Sequence, residues 1–204
     1  MSDERSDLEL LAGWRAGDAA AGQALFARHF RRIYRFFETK CPAEADELVQ
    51  STFLACVRAK DQFRGESSFT TYLFAIARRE LFRVLELRRR EAARLDFEVS
   101  SIAELGPSLR TQIAGREDRV RLVRALQDLP VDQQVLLELH YWESVDIADL
   151  AVIFEALPVT IRSRLHRARN ALRERMLQEP QVAGEIGPTL ESLDEWARRL
   201  APAE

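Results

Sequence analysis

The 204-residue sequence predicts an all-α protein: two small helical domains joined by a linker, the second with a helix-turn-helix. Three observations predict it. Apolar residues recur at helical steps of three and four along the chain, and no alternating strand pattern stands out. Helix formers dominate, with only eight Gly. Periodicity then fails over residues 92–116, where Gly106-Pro107 and Gly115 break the chain, so this stretch reads as a linker.

Taken in order, residues 7–16 are expected as a short helix with Leu8, Leu11 and Ala12 on one side. Gly17 ends it and Asp18 can cap the next helix. That helix carries Phe26, Phe30, Ile33, Tyr34 and Phe37 at helical spacing, an aromatic stripe expected in the core, and Cys41-Pro42 ends it. A third helix, from Glu44 to about Lys60, turns Leu48, Val49, Phe53, Cys56 and Val57 inward. Asp61 to Phe69 reads as a loop because Gly65 is followed by two Ser. A long helix follows from Thr70, with Leu73, Ile76, Ala77, Leu81, Val84 and Leu85 as its buried stripe. Arg78, Arg79, Arg83 and the run Arg88, Arg89, Arg90 lie largely elsewhere on it.

This gives an N-terminal domain over residues 1–91, a linker over 92–116 and a second domain over 117–177. In the second domain Leu122, Val123, Leu126 and Leu129 make the first helix, Pro130 restarts the chain, and Val135, Leu136 and Leu139 belong to the next. Ile147, Leu150, Ala151 and Phe154 then mark a short amphipathic helix with Asp146 as its N-cap. Glu155, Ala156 and Leu157 are left as a three-residue turn. Pro158 opens the last helix, where Ile161, Leu165, Ala168, Leu172 and Met176 form one apolar stripe. Its other face is basic: six Arg against one Glu between Pro158 and Met176. Helix, tight turn and basic helix is the arrangement in which the second helix enters the major groove by its N-terminal end. Thr160, Arg162, Ser163, Arg164 and Arg167 are then nearest the DNA.

Charge is segregated. The net charge is −3, yet residues 60–90 hold eight Lys and Arg against four acids, while 91–118 and 178–204 are acidic. A nucleic-acid protein need not be basic overall when its basic residues share a face. No apolar run approaches the roughly 20 residues that span a bilayer, and the N-terminus MSDERSDLEL lacks the apolar core of a signal peptide. The expectation is a cytoplasmic protein without membrane insertion. Cys41 and Cys56 are too few and too far apart for a disulfide framework or a zinc site.

The run LHYWESVDIADLAVIFEALPVTIRSRLHRARNALRERM resembles the promoter-binding domain of an extracytoplasmic-function (ECF) sigma factor. The family ends this motif with Thr, an aliphatic residue, Lys or Arg, then Ser-Arg-Leu, as Thr160 to Leu165 do here. Two positions depart from the pattern: Glu155 stands where Gly is usual, and Leu157 where a Ser-like cap is usual. A left-handed Glu155 would cost roughly 1–2 kcal/mol. The string FRGESSFTTYLFAIARR resembles the family's second signature, a Phe-Arg-Gly loop followed by a Thr-Trp-Leu helix. Tyr72 replaces the usual Trp, and Arg79 stands where Asn is common. AEADELVQSTFLACVRA resembles the family's polymerase-binding helix.

The resemblance implies roles residue by residue. Thr160, Arg162, Ser163, Arg164, His166, Arg167 and Arg169 would contact the upstream, minus-thirty-five element. Phe63, Arg64, Phe69, Tyr72, Arg78, Arg79 and Arg83 would grip the non-template strand of the melted minus-ten element. Such strands are held by a cationic groove and bases captured against protein. Asp46, Glu47 and Gln50 would face the clamp helices of the largest polymerase subunit. Core RNA polymerase and promoter DNA are the implied partners, with an anti-sigma factor as a further one, and no cofactor or metal.

Two other classes compete with this reading. An operator-binding helix-turn-helix regulator acting without polymerase shares the second motif but not the first. An enzyme has little support. His29, His140 and His166 have no Cys, Asp or Glu at metal-ligand or triad spacing, and no phosphate-binding Gly loop is present. The extension 178–204 places Leu190, Leu193, Trp196, Ala197 and Leu200 on one helical face. It is expected either to complete the second domain or to dock as an inhibitory cover.

Overall fold

The computed structural model describes residues 4–94 and 117–178, all of whose regular elements are helical. The expected linker and the amphipathic extension beyond Gln178 lie outside the described residues. The chain divides into two compact units at Arg90 and Glu91.

The first unit begins with α1 (Asp7–Arg15), fixed by a capping box in which Ser6 and Glu9 satisfy each other's backbone N–H. Its buried residues are Leu10 and Leu11, whereas Leu8, expected inward, is 56% exposed. Gly17, at φ 101°, lets the chain reverse, and the Asp18 N–H bonds to the Gly13 carbonyl at 3.0 Å. Asp18 then caps α2 (Ala19–Glu38), accepting from the Ala20 and Ala21 N–H groups. After a 3₁₀ turn at Pro42–Glu44 comes α3 (Ala45–Ala59), and after a second at Lys60–Gln62 the loop leads to α4 (Phe69–Arg94).

The core faces of α2 and α3 differ from expectation on the same side. In α2 the buried residues are Ala21, Gly22, Leu25, His29, Ile33, Phe36 and Phe37, while Phe30 is half-exposed. In α3 they are Ala45, Leu48, Val49, Thr52 and Cys56, while Val57 is exposed and Phe53 only partly covered. α2 carries more apolar residues than one core face can hold, so packing against α1 and α3 decides which edge is left over. The stripe expected in α4 is buried except Val84, which is half-buried, and Phe74 joins it at 1% exposure.

The second unit contains α5 (Glu117–Gln127), α6 (Val131–Tyr141), α7 (Ile147–Ile153) and α8 (Pro158–Gln178), with α8 packed on all three others. Leu122, Leu126 and Leu129 are buried as expected, together with Ala125. α6 is buried nearly all round, which accounts for its Gln134 and Glu138: the Gln134 amide donates to the Glu138 carboxylate at 2.9 Å inside the unit. The stripe Ile161, Leu165, Ala168, Leu172 and Met176 is the buried face of α8 without exception.

Candidate nucleic-acid interface

In the second unit, Asp146 caps α7, its Oδ1 accepting from the Asp149 N–H at 2.8 Å. The turn after α7 is closed by two backbone bonds, Ala156 N–H to Ala151 O at 3.0 Å and Glu155 N–H to Val152 O at 3.2 Å. This pair is the Schellman pattern, which needs a left-handed residue at Glu155, and Glu155 has φ 50°. The turn is thus built as the family's glycine turn would be, with a side chain where none is favoured. Leu157 serves the first turn of α8 through its carbonyl alone, accepting from the Ile161 N–H at 3.0 Å, and its side chain is 69% exposed.

Because one stripe of α8 is spent on the core, the rest must face outward. Arg162, Ser163, Arg164, His166 and Arg167 are exposed, and Thr160, Arg169, Asn170 and Arg173 are half-buried beside them. Ser163 Oγ donates to the Val159 carbonyl at 3.1 Å, which leaves its lone pairs facing out. Asn170 Nδ2 lies 3.2 Å from His166 Nε2, and Arg167 Nε reaches the Ser163 carbonyl at 3.4 Å. The result is a cationic surface with hydrogen-bond donors at the open end of a helix.

In the first unit the loop before α4 stands on aromatic rings. Phe63 and Phe69 are buried, at 7% and 1% exposure, so neither ring is offered to a ligand in this state. Their centroids lie 6.2 Å apart, Tyr72 is 4.8 Å from Phe63, and His29 is 5.4 Å from Phe69. Ser68 caps α4, accepting from the Thr71 N–H at 3.0 Å. The Tyr72 hydroxyl donates to the Ala59 carbonyl at 3.1 Å, and burial pushes its pKa up. Between these anchors Arg64, Gly65 and Glu66 stand exposed, with Gly65 at φ 74°. On α4, Arg79 and Arg83 are exposed, Arg83 paired to Glu80 at 2.9 Å, while Arg78 lies 4.7 Å from the Phe82 ring. Tyr72, Arg79 and Arg83 follow at steps of seven and four, one face of the helix.

Asp46, Glu47 and Gln50 are exposed on α3. Asp46 and Gln50 rim an apolar cleft of about 320 Å³ whose floor is the leftover edge of α2 and α3: Phe26, Phe30, Val49, Phe53, Leu54 and Val57. Phe30, Leu54 and Val57 are 49%, 47% and 42% exposed, an exposed apolar patch of the kind that partner surfaces cover. Periodicity assigns Phe30 and Val57 to the core and says nothing of Leu54, so the cleft was missed. Two thiols stay inert: burial raises the pKa of Cys41 and pushes that of Cys56 up to about 12.

Comparison with known proteins agrees with this geometry. Residues 25–92 match the Sigma-70 region 2 family and residues 119–172 match Sigma-70, region 4. The ECF RNA polymerase sigma factor SigM of Mycobacterium tuberculosis is 31% identical over 172 residues, 83% of this chain and 84% of that protein. This chain belongs to the ECF RNA polymerase sigma factors. The ECF RNA polymerase sigma-E factor of Escherichia coli K12 is 27% identical over 181 residues, 84% of this chain and 95% of that protein. Among solved structures, the sigma factor RpoE of Bartonella quintana in complex with the anti-sigma factor NepR aligns with TM-score 0.60 at 26% identity, over 76% of this chain and 96% of that one. CnrH, solved with the cytosolic domain of CnrY, shares the fold at TM-score 0.63 and 22% identity, over 85% of this chain and 99% of that one. Sigma factors are non-catalytic initiation factors. Among the described residues, no helix is long and apolar enough to cross a membrane.

Proposed function

We propose that this sigma factor binds core RNA polymerase, recognises a minus-thirty-five element with residues 158–169 of α8, and helps open the minus-ten element with residues 61–83. The observation that carries this reading is the pairing, in one chain, of a basic recognition helix with an exposed loop braced on aromatic rings at the head of the arginine-bearing α4. An operator-binding regulator needs the first and has no use for the second. In this reading the functional parts are residues 1–91 for polymerase and the melted strand, 92–116 as linker, and 117–177 for the upstream element.

Phe63 and Phe69 then act from below, holding the loop shape, while Arg64, Tyr72, Arg78, Arg79 and Arg83 meet the displaced strand. Asp46, Glu47 and Gln50, with the apolar cleft beside them, meet the polymerase. An anti-sigma factor is a fitting further partner, since the sigma factor RpoE, of the same fold, was solved in complex with a protein so named. Transcription takes place in the cytoplasm, where the protein acts. Run-off transcription with purified core polymerase on a genomic library, with and without this protein, tests the reading. New discrete start sites are expected only when it is present. Symmetric operator binding with no added transcript would overturn the proposal.

A further inference from the structure

The loop that would grip the melted strand is tied down by a helix that the reading above leaves without a task. Arg15, the last residue of α1, reaches across to the loop stem 45 residues away, where its Nε donates to the Lys60 carbonyl at 2.9 Å. Its Nη2 bonds the same carbonyl and also the Phe63 carbonyl, the latter at 2.5 Å. Phe63 immediately precedes the exposed Arg64, so the guanidinium holds both ends of the turn on which the tip is built. Trp14 adds a second hold. The Lys60 ammonium lies 5.0 Å from the Trp14 ring centroid, a cation–π contact. Trp14 in turn packs edge-on against Phe26 at 5.0 Å, in a slot that exists because residue 22 is Gly: a Cβ there would meet the indole at 2.6 Å.

We propose that Arg15 and Trp14 are positioning residues for promoter opening, and that α1 serves to hold the 60–68 loop in its strand-receiving shape. The inference rests on the reading of that loop as the melted-strand site. Three features favour positioning over a plain tie. The hydrogen bonds of Arg15 fall on main-chain carbonyls, so they fix the backbone path directly, and its guanidinium also lies 4.0 Å from the exposed Asp61 carboxylate. A planar guanidinium bonding two carbonyls sets angle as well as distance. The loop's other side is fixed independently by the Tyr72 hydroxyl on Ala59 and by Ser68 at the start of α4, so Arg15 completes a frame around an exposed tip. A loop ordered before binding does not have to be ordered by the strand it receives.

The test uses Arg15→Ala and Arg15→Lys in the full chain. Amide hydrogen exchange of the free protein is expected to quicken over residues 62–68 in Arg15→Ala, with protection in α2 and α3 unchanged. With core polymerase on a duplex promoter, opening should slow about tenfold, the scale of a lost charge-assisted hydrogen bond. Discrimination among the four bases at the captured position should fall with it, and a pre-melted bubble should recover much of the rate. Arg15→Lys, which keeps a donor for one carbonyl, should recover part of both losses. Unchanged exchange in the loop overturns the proposal. So does a lower melting temperature with base discrimination intact, which would make Arg15 a tie for stability only. Arg64→Ala and Tyr72→Ala run beside them separate the two levels. If they are defective while Arg15→Ala is not, positioning alone fails; if none is defective, the reading of the loop fails with it.

Discussion

Glu155 holds φ 50° in a turn that asks for glycine. A side chain in this conformation costs roughly 1–2 kcal/mol, and glycine removes that cost while adding entropy to the unfolded chain. Glu155→Gly should therefore stabilise the second unit by about 0.5–1 kcal/mol, read as a higher urea midpoint for that unit. A lower midpoint would show that the glutamate side chain makes contacts worth more than the strain. At the same scale, His29 is buried, with Nε2 2.8 Å from Asp7 Oδ2, and Asp7 also bonds Arg28 at 2.7 Å. Burial lowers the His29 pKa below 6.5, and Asp7 opposes it only in part. The folded protein thus binds fewer protons at this site than the unfolded chain. Its stabilising share is intact above pH 6.5 and is lost as pH falls below that value through the folded pKa. His29→Gln should flatten the loss of stability of the first unit on acidification below about pH 6.5, measured by thermal melts across pH.

α8 shows a helix whose two faces have different tasks. Five residues at helical spacing bury one face, and what is left is a row of arginines. If that row reads the upstream element, Arg164→Ala should weaken promoter binding by about 1–3 kcal/mol for a base contact, whereas loss of a phosphate contact should mainly flatten the salt dependence. Unchanged affinity across Arg162, Arg164 and Arg167 substitutions would remove α8 from the interface. The leftover edge of α2 and α3 makes the matching case in the first unit. Phe30→Ser and Leu54→Ser remove exposed apolar surface and should leave the melting temperature nearly unchanged. Polymerase binding should weaken by about 1–2 kcal/mol if the cleft is a central contact. α8 was legible in sequence because its apolar residues suffice for one face only. α2 was not, because Leu25, Phe26, Phe30, Ile33, Tyr34, Phe36 and Phe37 spread over about half its circumference, wider than one core face. Periodicity then predicts a helix without saying which edge its neighbours cover.

For the whole molecule, the proposed function gives the two units separable duties. Alanine substitutions at Arg64, Tyr72 and Arg79 should impair transcription from a duplex promoter more than from one with a pre-melted bubble. Those in α8 should impair both whenever the upstream element is required. Equal defects on both templates from the loop substitutions would point to polymerase binding or folding instead.

By itself, the sequence determined the all-helical class, the helix-turn-helix pair, the buried stripe of α8 and the family. These depend on spacing within a dozen or so residues, where local geometry and side-chain chemistry dominate. Only the tertiary structure decided what depends on distant segments meeting. It withdrew Phe63 and Phe69 into the core beneath the loop and left Phe30, Leu54 and Val57 outside as the wall of a cleft. It also gave His29 its partner in Asp7 and Arg15 its carbonyls at Lys60 and Phe63. No period records such pairings, because a hydrogen bond across 45 residues leaves no trace in the spacing of either end.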